Sequence, residues 1–434
     1  MNIQELYALY QQYPQVSTDT RNILPGSIFF ALKGEKFNAN SFAHQALSAG
    51  ASYVVLDEAQ ELYDERFIRV ADVLETLQEL AHYHRKQLSI PFIGITGTNG
   101  KTTTKELLNA VLSEQYNTYA TKGNLNNHIG VPLTLLAIDE TVEMAIIEMG
   151  ANHPEEIAFL CAIAAPTHGL ITNVGKAHLE GFGSFEGVKK TKAELYDYLK
   201  AHQGVLFLQG DNADLVAMEA ERGVERLQRY GFSSINDVQG KLIEANPLLT
   251  IAWHTQDAPQ ELSTVATHLV GSYNTENILA AVAVGLFFDL PKAAINKGIA
   301  GYIPTNNRSQ ISKTAHNIIL ADYYNANASS MAAALDNLAV ITAKHKVLIL
   351  GDMFEMGAES FFEHQQVIAK ATALGAQRCI FVGHAFYAQR DDRAEFYATT
   401  EDAKAALLKR PIKDSTILLK ASRGMAFERL MDVL

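Results

Sequence analysis

The chain has 434 residues, 48% of them hydrophobic and 19% charged, with a formal net charge of −12. That size predicts about three domains, and the apolar content excludes a disordered or fibrous chain. An acidic balance with no basic run makes a poor nucleic-acid or anionic-membrane binder, so any phosphate must be gripped locally.

Residues 1–84 hold two short apolar runs, SIFFALKG and ASYVVLDE, around the helical FAHQALSAG. They close with VLETLQELAHYHRKQL, whose leucines at 74, 77, 80 and 88 follow helical spacing. This reads as a small α/β unit. Residues 85–303 open with the β-branched strand PFIGIT, a glycine-rich turn and the helix TTKELLNAVLSEQ. Strands at EMAIIEMG, GLITNVG and GVLFLQGD follow, and NILAAVAVGLFFDL closes the unit as an apolar helix. Apolar strands alternating with helices predict a mostly parallel sheet covered on both faces. YIPTNNRSQ, with Pro304, reads as a hinge. Residues 304–434 then repeat the pattern through NIILADYY, KVLILGD, RCIFVG and TILLKAS, which predicts a third, Rossmann-like α/β domain.

Two cysteines, Cys161 and Cys379, in apolar contexts make no disulfide framework. MNIQELYALYQQYP has neither the basic nor the apolar region of a signal peptide. The longest apolar run, Ile278 to Phe288, is short of the ~20 residues that span a bilayer. The expectation is a cytoplasmic protein without stable membrane insertion or nucleic acid. The oligomeric state stays open, and a monomer is compatible.

The strongest chemical pattern is Gly97-Thr98-Asn99-Gly100-Lys101-Thr102-Thr103, between a buried strand and a helix. Glycines let backbone N–H groups approach phosphate oxygens, and the helix N-terminus adds its dipole. Lys101 would reach the β- and γ-phosphates, and the Thr102 hydroxyl would bind Mg²⁺. Ile95 stands where the strict Walker pattern has glycine, so this is a variant phosphate loop. Glu148 ends EMAIIEMG, a strand end where a carboxylate can hold Mg²⁺ beside phosphates. His178 follows the next strand and belongs on the same edge. GFGSFEG has the wrong glycine spacing for a dinucleotide fingerprint, and no strand runs into it. The lysines at 189, 190 and 192 read on their own as a solvated basic face.

TGTNGKTT resembles the ATP loop of the Mur ligase family, ATP-dependent amide ligases of peptidoglycan synthesis. TDTRNILPGSIFFALKGEKF, KGNLNNHIGVPLTLL, EMGANHPEEI, AHLEGFGS and DYYNAN extend the resemblance over nearly the whole chain. It implies a small N-terminal domain, a central P-loop ATPase domain and a Rossmann-like C-terminal domain. It also implies addition of D-Ala-D-Ala to UDP-N-acetylmuramoyl-tripeptide through an acyl phosphate. Diaminopimelate and lysine both fit as the third stem residue. A sister ligase that adds one amino acid, or a P-loop kinase or NTPase, is the alternative.

The resemblance also assigns roles. Thr102, Glu148 and His178 become ligands of two Mg²⁺ ions, joined by Lys192 as a CO₂-derived carbamate; Lys101, Lys192 and His178 are then the catalytic set. Asn274 and Asn277 match an HNxxN pattern whose amides read adenine, with Tyr273 in place of the histidine. Arg308 and Asp322 approach the ATP from the third domain. Tyr324 and Asn325 of DYYNAN contact substrate, and Arg423 would grip the dipeptide carboxylate. Thr18, Arg21 and Lys33 belong to a uridine-nucleotide site. Asn124, Asn126 and Asn127 form a substrate loop ending at His128.

Overall fold

The computed structural model describes residues 1–60 and 64–434. The first sheet is all parallel, in the order Val16–Ser17, Ile28–Phe30, Tyr53–Leu56, Phe67–Arg69. Asp72 caps the helix Val73–Gln87 by accepting from Glu75 N, and the helix runs through residue 84. It does not stop at the edge of the first unit. His84 Nε2 donates to Ile138 O (2.8 Å), Arg85 Nε to Ala164 O (2.9 Å) and Tyr10 Oη to Leu136 O (2.6 Å). Leu6, Tyr10 and Val55 share one apolar core with Phe92, Leu135 and Leu160. Burial of that shared core is what joins the first unit to the second.

The central sheet has nine strands. Phe92–Thr96 lies between His168–Ile171 and Met144–Glu148, parallel to both, and is buried along its whole length. The expected parallel run ends at Arg226–Gly231 and Val238–Ala245. Beyond it Val238–Ala245, Leu248–Thr255 and Ser263–Val270 form an antiparallel meander that the sequence reading did not pick out. Ser263–Val270 alternates buried and exposed positions, so its pattern has period two rather than the continuous apolar run of the parallel strands.

The third sheet runs Gln310–Lys313, Asn317–Asp322, Ser415–Lys420, Lys346–Gly351, Arg378–Val382, Glu395–Tyr397. All neighbours are parallel except the first pair. That antiparallel edge begins at Gln310, inside the segment read as a hinge. The α/β class matches the expectation, as does the mostly parallel core of the central sheet, to which the antiparallel meander is added at one edge. No described helix is long and apolar enough to cross a membrane.

Candidate active site

A cavity of about 610 Å³ opens between the central and third sheets, lined by Lys101, Glu148, His178, Arg308, Asp322 and Lys420 among others. Its floor is the phosphate loop. Gly97 (φ +142°) and Gly100 (φ +78°) make the two sharp bends. A Cβ at Gly97 would fall 2.0 Å from Thr172 Oγ1, so only glycine fits. Gly100 leads directly into the helix Lys101–Leu112. The loop is clamped to the next strand end: Thr98 N donates to Asn173 O (2.9 Å) and Thr172 Oγ1 to Asn99 O (2.6 Å). Lys101 folds back over it, Nζ donating to Gly97 O (2.8 Å) and Thr98 O (3.1 Å). Burial pushes its ammonium down to about 8; Glu148 opposes this and Arg308 adds to it.

Glu148 ends its strand as expected and is 1% exposed. Its Oε1 accepts from Thr102 Oγ1 (3.3 Å) and Asn126 Nδ2 (2.8 Å). Its Oε2 is buried and has no partner. A buried carboxylate oxygen left unpaired beside a hydroxyl suits a hard divalent cation. Among the described residues no three His, Cys, Asp or Glu side chains form a preformed cage. An ion here would rest on Glu148, Thr102 and nucleotide phosphates. Asn126 thus steadies Glu148 and also lines the cavity, where the resemblance implies a substrate contact. Asn127 Oδ1 accepts from Gly130 N (2.9 Å) and starts the helix Gly130–Leu135, while Asn124 lines the cavity.

His178 lies on the same edge, with positive φ, and its Nδ1 is hydrogen-bonded to Glu355 of the third domain. Burial pushes its pKa down, and Glu355 pulls it back up. Lys192 is buried in the helix Phe185–Ala201, Nζ 5.4 Å from the Phe182 ring centroid. Burial, with Lys101 adding to it, lowers it to about 7. Lys189 pairs instead with Glu186 (2.5 Å), and Lys190 alone of the three is exposed, so the run is not a uniformly solvated face. In GFGSFEG, Ser184 simply caps this helix.

Asn274 and Asn277 line the cavity, but their amides are engaged by protein. Asn274 Nδ2 donates to Val270 O (2.7 Å), Asn277 Nδ2 to Asn274 Oδ1 (2.8 Å), and Thr104 Oγ1 to Asn277 Oδ1 (3.1 Å). These bonds stitch the helix Asn274–Phe287 to the phosphate-loop helix.

The third domain brings Arg308, Asp322, Tyr324 and Asn325 to the cavity wall. Asp322 accepts from Lys420 Nζ at 2.5 Å, a buried lysine that the sequence reading missed. The clue was a cation closing the apolar strand TILLKAS. Also missed were Asn327 and Ser329. Asn327 Nδ2 donates to Asn99 Oδ1 (2.8 Å), and Asn99 Nδ2 donates to Ser329 Oγ (2.9 Å). Arg423 is exposed and donates to the Tyr324 hydroxyl (3.2 Å). Thr18, Arg21 and Lys33 do not line this cavity. Arg21 pairs with Asp19 (2.8 Å), and Lys33 with Asp57 (3.0 Å).

Three family descriptions match the chain in order. They are "Mur ligase family, catalytic domain" at residues 12–85, "Mur ligase middle domain" at 95–285, and "Mur ligase, glutamate ligase domain" at 307–423. The UDP-N-acetylmuramoyl-tripeptide–D-alanyl-D-alanine ligase of Escherichia coli is 36% identical over 425 residues, covering 96% of this chain and 93% of its own. The crystal structure of MurF from Acinetobacter baumannii superposes with a TM-score of 0.88 at 29% identity, covering 99% of this chain and 98% of its own. MurF ligase from Thermotoga maritima, solved in complex with ADP, has the same fold: TM-score 0.86, 24% identity, 97% of each chain covered.

Proposed function

The chain belongs to the Mur ligase family, and from that premise we propose that it joins D-alanyl-D-alanine to UDP-N-acetylmuramoyl-tripeptide at the expense of ATP. The observation that carries this is the meeting in one cavity of the phosphate loop, the half-satisfied Glu148 carboxylate and third-domain cations. A carboxylate is a poor electrophile because its leaving oxygen is poor. Transfer of the γ-phosphoryl group to it forms an acyl phosphate and ADP. The dipeptide amine then attacks the acyl carbon, the C–O bond to phosphate breaks, the amine loses a proton, and phosphate leaves. Phosphoryl transfer needs positioning and charge neutralisation more than covalent help.

The chain's own groups supply both. Lys101 would turn from its loop carbonyls to the γ-phosphate, whose charge restores the ammonium that burial weakens. Arg308 adds a second cation from the third domain. Thr102 and Glu148 would hold Mg²⁺, which when bound screens the phosphate charge. His178, fixed by Glu355, borders the same space.

Lys192 completes the proposal as a carbamate. Lys192 is buried and the Lys101 ammonium acts on it electrostatically, so the charged form of Lys192 is costly. A neutral Lys192 amine can add CO₂, forming an N–C bond and releasing a proton, and an anion then replaces the second cation. The proposed domain limits are 1–84, 85–303 and 304–434, with Thr18, Arg21 and Lys33 reaching the uridine end outside this cavity. A cytoplasmic monomer, with no nucleic acid, belongs to the same proposal. The two buried free thiols, Cys161 and Cys379, suit a reducing compartment.

The test is phosphate release with each substrate omitted in turn. Release should require ATP, UDP-tripeptide and D-Ala-D-Ala together. Release with a single D-alanine at the same rate would point to the sister activity, and release with neither acceptor to an NTPase.

A further inference from the structure

Two guanidinium groups share one aromatic ring. Arg308 Cζ lies 3.9 Å from the Tyr324 ring centroid, and Arg423 Cζ lies 5.1 Å from it. Arg423 Nη1 also donates to the Tyr324 hydroxyl at 3.2 Å. Like charges this close repel, and alone they would splay apart. The negative face of the ring attracts each of them, which lets the pair coexist.

Topology produces the trio. The strands Asn317–Asp322 and Ser415–Lys420 are parallel neighbours, with Asp322 opposite Lys420. Tyr324 and Arg423 therefore leave adjacent strand ends just beyond that ion pair. Arg308 arrives from the segment that enters the third sheet. The two arginines then serve different places. Arg308 lines the cavity and acts electrostatically on Lys101, whereas Arg423 is exposed outside it.

We infer that Tyr324 is a positioning residue whose hydroxyl and ring set the exposed Arg423 to receive the carboxylate of the incoming dipeptide, while the same ring keeps Arg308 on the nucleotide side. This rests on the ligase reading above. A bare exposed arginine samples many rotamers, and fixing it removes that entropy cost from acceptor binding. The arrangement also couples the two ends. Phosphate at Arg308 or carboxylate at Arg423 cancels one positive charge and relieves the other.

Tyr324→Phe keeps the ring and removes the hydroxyl. Its KM for D-Ala-D-Ala should rise roughly tenfold, the scale of one hydrogen bond to a charged group. Its KM for ATP should stay within about twofold, since the ring contact to Arg308 remains. With D-alanyl-D-alaninamide, which lacks the carboxylate, wild type and Tyr324→Phe should be equal. Tyr324→Leu should raise the KM for both ATP and dipeptide. An unchanged dipeptide KM in Tyr324→Phe, or an equal rise for dipeptide and amide, would overturn the positioning role. Wild-type enzyme that released no phosphate with D-Ala-D-Ala would instead overturn the ligase reading, and this inference with it.

Discussion

Thr102 Oγ1 stands 3.3 Å from Glu148 Oε1, so the first turn of the phosphate helix is tied to the end of the neighbouring strand, and the other carboxylate oxygen is left buried without a partner. An isolated buried carboxylate oxygen costs free energy that this arrangement does not recover within the protein. The divalent cation proposed beside the triphosphate would recover it.

Glu148→Gln keeps the shape and removes the charge. Turnover should fall on the order of a hundredfold or more, since a metal's share of transition-state stabilisation is several kcal/mol. The Mg²⁺ concentration for half-maximal rate should rise at the same time. Initial rates across a Mg²⁺ titration decide it; an unchanged Mg²⁺ dependence removes Glu148 from the metal site.

Much of this site was legible because it is local. The phosphate loop is contiguous, so its glycines, Lys101 and Thr102 can be recognised from their spacing alone, although Gly97 packs on Thr172 and Thr102 bonds Glu148, both far off in the chain. Glu148 was legible as a polar residue closing an apolar strand. Lys420 closes its strand the same way but went unread, because a lone lysine there is also what a solvated strand end looks like. Asn126, Asn274 and Asn277 show the other limit. An asparagine amide serves a ligand or the protein equally well, and their partners Glu148, Val270 and Thr104 are set by tertiary packing. The interdomain contacts of Asn99 and His178 depend on partners more than 170 residues away.

Asn99 is such a case. Its side chain bonds Ser329 and Asn327, so the phosphate loop itself docks the third domain. Asn99→Ala removes two hydrogen bonds, each worth about 1 kcal/mol. Radius of gyration by small-angle scattering should increase in the variant, with nucleotide affinity changed by only a few-fold. A radius identical to wild type, with turnover unchanged, would show that docking does not depend on Asn99.

Arg85 performs the equivalent task at the other boundary. Its guanidinium donates to Ala164 O (2.9 Å), Ala165 O (2.7 Å) and Leu88 O (2.9 Å), and its Cζ lies 3.7 Å from the Phe92 ring centroid. It closes the C-terminal end of the helix Glu156–Ala164, where carbonyls lack partners and favour a cation. Arg85→Met keeps the apolar stem and strands those carbonyls. The urea midpoint should drop by the equivalent of about 2–4 kcal/mol. A midpoint within experimental error of wild type would mean that water replaces the guanidinium without loss.

Lys420 and Asp322 close the list of residues on which the site depends. They are register partners on adjacent parallel strands, 2.5 Å apart, and Lys420 is 1% exposed. Removing one member of a buried pair leaves the other charge unpaired, which costs about 3–5 kcal/mol, whereas replacing both with apolar groups is close to neutral. Lys420→Met should therefore lower stability by an amount in that range, somewhat reduced because the Asp322 side chain is 19% exposed and partly reached by water. The double variant Lys420→Met/Asp322→Leu should regain most of it. Activity should respond differently. Asp322 lines the cavity proposed to hold the nucleotide, so the double variant should remain impaired, with a raised KM for ATP even though it folds. Thermal or urea denaturation gives the first comparison, and steady-state rates at varied ATP give the second. If the double variant regained ATP affinity along with stability, the pair would be a fold element alone, and Asp322 would leave the set of nucleotide contacts.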